Sequence, residues 1–182
     1  MSALSRLQAY AGHDDPATAM ANVIALVIGS NGPFYPIYAM AMIGQAGLAT
    51  FVTMFASPFF LAIPTLSRRS SLAGRLALPL LGTANTLWCM KLMGPDSGVA
   101  WFFLPCIALA ALLFRREERI WMLLAIAVPL VAFFLPAAVF GTKLLALTAA
   151  DTASLARVNG GSVATLMGFL TLQFAGLLRD TA

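Results

Sequence analysis

From Pro16 to Leu66 the chain carries no Asp, Glu, Lys or Arg. One bilayer crossing takes about 20 predominantly apolar residues, so this stretch is long enough for two helices joined by a turn. The remainder is built alike. Of 182 residues, 60% are hydrophobic and only 10% charged, against roughly 25% charged in ordinary soluble domains. The expected fold class is therefore all-α, a polytopic membrane protein with a bundle of six transmembrane helices and both termini cytoplasmic. It is one domain over 1–182, with an N-terminal interfacial arm at 1–16, the membrane bundle at 17–178 and a cytoplasmic tail at 179–182. Six crossings use nearly all of the length, and no appended soluble domain is expected.

Orientation follows from the eleven Lys and Arg. Arg6, Arg68, Arg69, Arg75, Arg115, Arg116, Arg119 and Arg179 fall on one side of a six-span layout, and Lys91, Lys143 and Arg157 on the other. Basic loops are retained in the cytoplasm, which puts both ends of the chain there and makes the bacterial cytoplasmic membrane the expected location. The net charge of +4 belongs to lipid headgroups rather than to nucleic acid. The opening segment lacks a continuous apolar region and a clear cleavage site, so a cleaved signal peptide is not expected.

In the arm, Leu4, Leu7, Tyr10 and Ala11 recur at helical spacing, which predicts a short interfacial helix. Helix one is expected over about 17–43, but GSNGPFYP, Gly29 to Pro36, lies inside it. Proline lacks an N–H and collides with the preceding turn, so the helix must break or kink, and its freed backbone groups should face the protein interior. Helices two to six are expected at about 48–66, 72–93, 99–114, 120–140 and 160–178, with bends at Pro129 and Pro136. A connection over 141–159 is expected to lie along the interface.

Candidate functional residues are few. The sole histidine is His13, in the arm, and no acid lies in an apolar core, so general acid–base catalysis lacks its usual groups. Ser162, after Gly160 and Gly161, has no basic partner at comparable depth. The chain is expected not to be an enzyme. Cys89 and Cys106 sit in apolar stretches without metal-ligand spacing, and the nine methionines form no repeated array, so neither a metal nor a cofactor is expected. A candidate polar interior site remains: Asn22, Asn31 and Tyr35 around the broken helix, Asn85 in helix three as leading partner of the break, and Gln173 in helix six. Such residues either tie helices together or line a path. Gly160, Ala164 and Gly168 recur every fourth residue, a candidate helix-packing interface in which small side chains let backbones approach.

The stretch GPDSGVAWFFLPCIALAALLFRREER resembles the third-to-fourth-helix region of six-helix membrane input domains in bacterial sensor kinases and nucleotide cyclases. The features that match are Gly94, Asp96-Ser97-Gly98, Phe102-Phe103-Leu104 and Arg115-Arg116. Members often have a histidine where Ala100 stands here, so no haem or metal role carries over. They commonly continue into a cytoplasmic output domain, whereas this sequence stops at Arg179-Asp180-Thr181-Ala182. The resemblance implies an input module without an output domain. The expected function is a non-enzymatic membrane module that senses a membrane cue or binds and positions a membrane partner, regulating a separate signalling protein. The alternative is a small transporter or channel using the broken first helix. Its expected partners are the lipid bilayer and another membrane protein or a second copy of itself, and no nucleic acid.

Overall fold

Ser2 starts the first helix, α1 (Ala3–Ala11), by accepting a hydrogen bond from the Ser5 N–H at 3.2 Å. A computed structural model describes residues 2–180, and among them every regular element is helical, with no strand. The arm does not lie free. The Tyr10 hydroxyl is 2.8 Å from the Leu61 carbonyl, and the Arg68 guanidinium lies over the Tyr10 ring at 5.2 Å.

Asp15 and Pro16 open α2 (Pro16–Asn31), with proline at a position whose N–H has no helical partner anyway. The chain bends by 42° across Gly32 and Pro33 into α3 (Phe34–Ile43). This is the interruption expected from GSNGPFYP, and Ser57 presses against it so closely that a Cβ on Gly32 would collide with the Ser57 hydroxyl.

After Ile43 the chain turns back through a 3₁₀ stretch, Gly44–Ala56, and continues as α4 (Ser57–Arg69). A regular α-helix was expected from Leu48, and 3₁₀ runs beyond three or four residues are uncommon. The hydroxyls of Thr50 and Thr53 donate to carbonyls three residues earlier, at 2.5 and 2.7 Å, in step with the tighter winding. Gly47 adds a second constraint, since a Cβ there would lie 2.6 Å from the Met40 backbone nitrogen.

Ser70 caps α5 (Ser71–Met93) by accepting from the Ala73 N–H at 3.2 Å. Two short turns lead into α6 (Phe103–Leu112), and α7 (Arg119–Phe133) follows the basic loop. Helix five was expected to continue to Phe140, but Pro136 cannot supply the N–H that would extend it, and only a 3₁₀ turn at Ala137–Phe140 remains. The last helix is longer than expected: α8 spans Ala149–Asp180, so most of the expected interfacial connection is helix. Its start is a reciprocal cap. The Thr148 N–H donates to the Asp151 carboxylate at 2.9 Å, and the Asp151 N–H donates to the Thr148 hydroxyl at 3.1 Å.

Helix α5 is the hub, touching α2, α4, α6 and α7. Two buried clusters form along it. One gathers Ala21, Ile24, Phe60, Ile63, Leu78 and Leu109; the other gathers Met90, Met93, Val99, Phe103, Ala132 and Leu155. Large apolar side chains also stay uncovered on the outside: Phe55, Ile120, Phe134 and Leu172 are each 73–75% exposed.

Among the described residues one helical stretch, Ala46–Arg69, is by itself long and apolar enough to cross a membrane. The bent pair α2 and α3 passes together, and Val99–Leu112 is a shorter apolar helix. Of the expected tail, Thr181 and Ala182 lie outside the described residues.

The small-residue stripe splits. A Cβ on Gly160 would sit 3.1 Å from the Trp101 ring, whereas Ala164 and Gly168 are exposed and a Cβ on Gly168 would meet nothing within 4 Å. Among the described residues the stripe is a packing seam only at its first position, since Ala164 and Gly168 stand uncovered. Gly47→Ala is expected to destabilise the protein by about 1–3 kcal/mol through overpacking against backbone, seen as a lower melting temperature in detergent. Gly168→Leu should leave that temperature unchanged; an equal drop for both would mean α8 packs differently.

Candidate functional site: a neutral cavity at the helix break

The break in the first long helix opens on a cavity of about 710 Å³, within the range of small-molecule sites. It lies between the two buried clusters and borrows walls from both, with Phe60, Leu78 and Leu109 from one and Met93 and Val99 from the other. Helices α2, α3, α4, α5, α6 and α8 all contribute to its walls. Among the described residues its lining includes no Asp, Glu, Lys, Arg or His.

Three of the five polar residues singled out in the sequence, Asn31, Tyr35 and Asn85, line this one space. The expected hydrogen bond from Asn85 to Asn31 or to the broken backbone is not made. Two backbone bonds cross the bend instead, from the Gly32 N–H to the Ile28 carbonyl at 3.1 Å and from the Tyr35 N–H to the Gly32 carbonyl at 3.3 Å. The Asn85 carbonyl oxygen sits 4.0 Å from the Cys89 thiol, and the Tyr35 hydroxyl donates to the Met93 sulfur at 3.3 Å.

The other two candidates lie elsewhere. Asn22 is fully buried at the opposite end of α2, donating to the Ala11 carbonyl at 3.0 Å and accepting from the Ser67 hydroxyl at 2.7 Å. It fastens the arm and α4 to α2. Gln173 is half-buried and outside the cavity lining.

Sequence reading missed Asn159. It is fully buried, its amide donates to the Ser97 carbonyl at 2.8 Å, and its Oδ1 has no partner. The loop reaches it because Gly98 takes φ +77°, and a Cβ there would come within 3.0 Å of Ala156 on α8. The signal was the cap formed by Thr148 and Asp151, which places Asn159 inside a helix rather than in a connection.

A second polar assembly closes one end of the bundle. Arg75, one turn inside α5 and 1% exposed, holds Glu118 through two bonds of 2.5 and 2.6 Å and donates to the Leu113 carbonyl at 2.9 Å. Its Nε lies 3.5 Å from Asp15 without a hydrogen bond, and Asp15 pairs with Arg115 at 3.0 Å. The Thr18 and Ser71 hydroxyls also approach Asp15, at 2.5 and 3.0 Å. Burial pushes the Asp15 carboxyl up, but those hydroxyls, Arg115 and the Arg75 charge outweigh it and hold the group well below the usual carboxylate range. Glu118 is lowered chiefly by the Arg75 hydrogen bonds, against partial burial. At the other end Lys91 reaches the Phe140 and Thr142 carbonyls at 2.8 and 2.9 Å, and Lys143 reaches the Leu147 carbonyl at 3.0 Å.

Among the described residues no three His, Cys, Asp or Glu side chains come together as a metal-binding group. No protein-family model, curated protein or solved structure matches the chain.

The charged assembly has a pH signature. Both carboxyls are depressed in the folded protein relative to ordinary values of 3.8 and 4.5. Their stabilisation is complete above those values and is lost as pH falls through the folded ones. The melting temperature in detergent should be flat from about pH 7 to 5.5 and fall below about pH 4.5. Glu118→Gln should lower neutral-pH stability by about 2 kcal/mol, the scale of a hydrogen bond to a charged group, and shrink the acid fall. An unchanged acid profile would exclude Glu118 as its source.

Proposed function

We propose that the chain is a six-span integral membrane module of the bacterial cytoplasmic membrane, non-enzymatic, that binds a membrane-derived cue in its central cavity and passes the occupancy to a separate signalling protein. The observation that carries this reading is the cavity itself, a neutral and largely apolar space at a helix break. A charge placed there would lose its hydration without finding a counter-charge, so an uncharged cue fits it better than an ion.

Several features support the membrane setting. The strongly exposed Phe55, Ile120, Phe134 and Leu172 would be costly in water and are at home against lipid acyl chains. Arg68, Arg75 and Arg115 gather at one end and Lys91 and Lys143 at the other, the partition that orients membrane proteins. A partner helix, or a second copy, would find its closest approach along the open Gly161, Ala164 and Gly168 face of α8. The likeness of the Gly94 to Arg119 segment to sensor input domains points the same way.

A transporter is the second reading, favoured by the 42° break that lines the cavity, since broken helices commonly form substrate sites. Reconstituted liposomes separate the two: no solute or ion flux above empty vesicles is expected, and flux abolished by filling the cavity would establish transport. Topology has its own test. Single cysteines at Ser70 and Arg116, both exposed, should resist a membrane-impermeant thiol reagent in intact cells while one at Asp96 reacts, with the native Cys89 and Cys106 buried. The inverse pattern would overturn the orientation.

A further inference from the structure

We infer that the cavity takes an uncharged amphiphile with a hydroxyl head, seated with its head at Asn159 and its chain toward Phe60 and Leu109. This rests on the membrane-module reading and names the chemical class of its cue.

A fully buried carbonyl oxygen without a hydrogen-bond donor is rare, because desolvating it without compensation is costly. Asn159 Oδ1 is such an atom, on a residue that lines the cavity, while its amide is already committed to Ser97. The Tyr35 hydroxyl stands next to the same side chain, and a ligand hydroxyl between the two can donate to the free oxygen.

Two hydroxyls of the lining are likewise acceptors toward the cavity. The Thr86 and Thr165 hydroxyls both spend their protons on carbonyls of their own helices, at 2.9 Å each, and offer only lone pairs to the cavity. Nearby, the Tyr35 hydroxyl donates to a thioether sulfur, a weak acceptor that a better one would displace. A hydroxyl suits this set, since it donates to Asn159 Oδ1 and its oxygen can accept from Tyr35. A carboxylate or phosphate brings no donor for Asn159 Oδ1 and places a charge where the described lining has none. A plain hydrocarbon leaves Asn159 unsatisfied.

The cavity is also polarised along its length. Asn159 and Tyr35 stand with Met93 and Val99, toward the end that holds Lys91 and Lys143. Phe60, Leu78 and Leu109 form the other part, in the cluster toward the Arg75 end. An amphiphile entering from the outer leaflet would keep its head toward its own interface. Gly161 marks the entry, being part of the lining yet exposed, with open space where a Cβ would go.

The test uses the full chain in phosphatidylcholine nanodiscs with three probes of one acyl chain: 1-oleoylglycerol, methyl oleate and oleate. Retention of each on the captured protein is measured against empty discs. The hydroxylated probe is expected to be retained at least tenfold better than methyl oleate, which has no donor, and than oleate, which is charged. Gly161→Leu, which adds a side chain at the mouth where nothing stands in its way, should cut retention of 1-oleoylglycerol at least tenfold with an unchanged melting temperature. Asn159→Leu should abolish the preference over methyl oleate; if that variant does not fold, the Gly161 variant decides. Equal retention of all three probes, preference for oleate, or full retention by folded Gly161→Leu would overturn the assignment while leaving the membrane reading in place. Release of the chain from cell membranes by alkaline carbonate would overturn both.

Discussion

The guanidinium of Arg75 holds one end of this protein together. It is the largest fully buried side chain among the described residues, and a buried cation is tolerated only when it is paired and its donors are used. Glu118 meets it with both carboxylate oxygens, the last turn of α6 contributes the Leu113 carbonyl, and Asp15 stands close by and binds Arg115 in turn. The start of α2, the start of α5 and the α6–α7 loop are thereby fixed to one point. Phe114 lies against the same guanidinium at 5.7 Å. Three loops far apart in sequence consequently have one geometry.

With that end fixed, the space in the middle becomes understandable. Helix α2 runs from the charged end to the bend at Gly32 and Pro33, where Ser57 crowds it. At the other end, α8 is drawn to the α5–α6 loop through Ser97, Gly98 and Asn159. Each end closes over its own apolar cluster, and the bend keeps the two clusters from merging. The gap between them is the cavity. Its walls are furnished by residues too small or too polar to fill it, notably Gly82, Asn85 and Thr86 on α5.

This layout gives the proposed sensing role a physical route. Helix α5 carries Arg75 near its start and cavity-lining residues along its middle, so it belongs to both polar assemblies. Helix α2 does likewise, with Thr18 beside Asp15 and Asn31 at the break. A ligand that favours one angle at Gly32 and Pro33 would bias the position of α2 against α5, and an effect of this kind requires different affinity for the two arrangements. The ion pairs would register that bias where Asp15, Arg75 and Arg115 meet.

The sequence by itself determined the all-helical class, the break at Gly29 to Pro36, most helix limits and the division of charges between two ends. These follow from local rules: apolar runs, proline chemistry and basic stops. It also named Asn31, Tyr35 and Asn85, since polar residues in apolar helices require partners or a cavity. Helix lengths near α8 were legible in principle, from the cap of Thr148 with Asp151, and were misread. Tertiary structure alone decided what meets what. It joined Asp15, Arg75 and Glu118 across the chain, sent Asn22 to the arm, left Gly168 uncovered and carried Asn159 beside Tyr35's wall of the cavity. No spacing rule encodes these contacts, because each depends on the bend at Gly32 and on loops whose paths are set by the packing of distant helices.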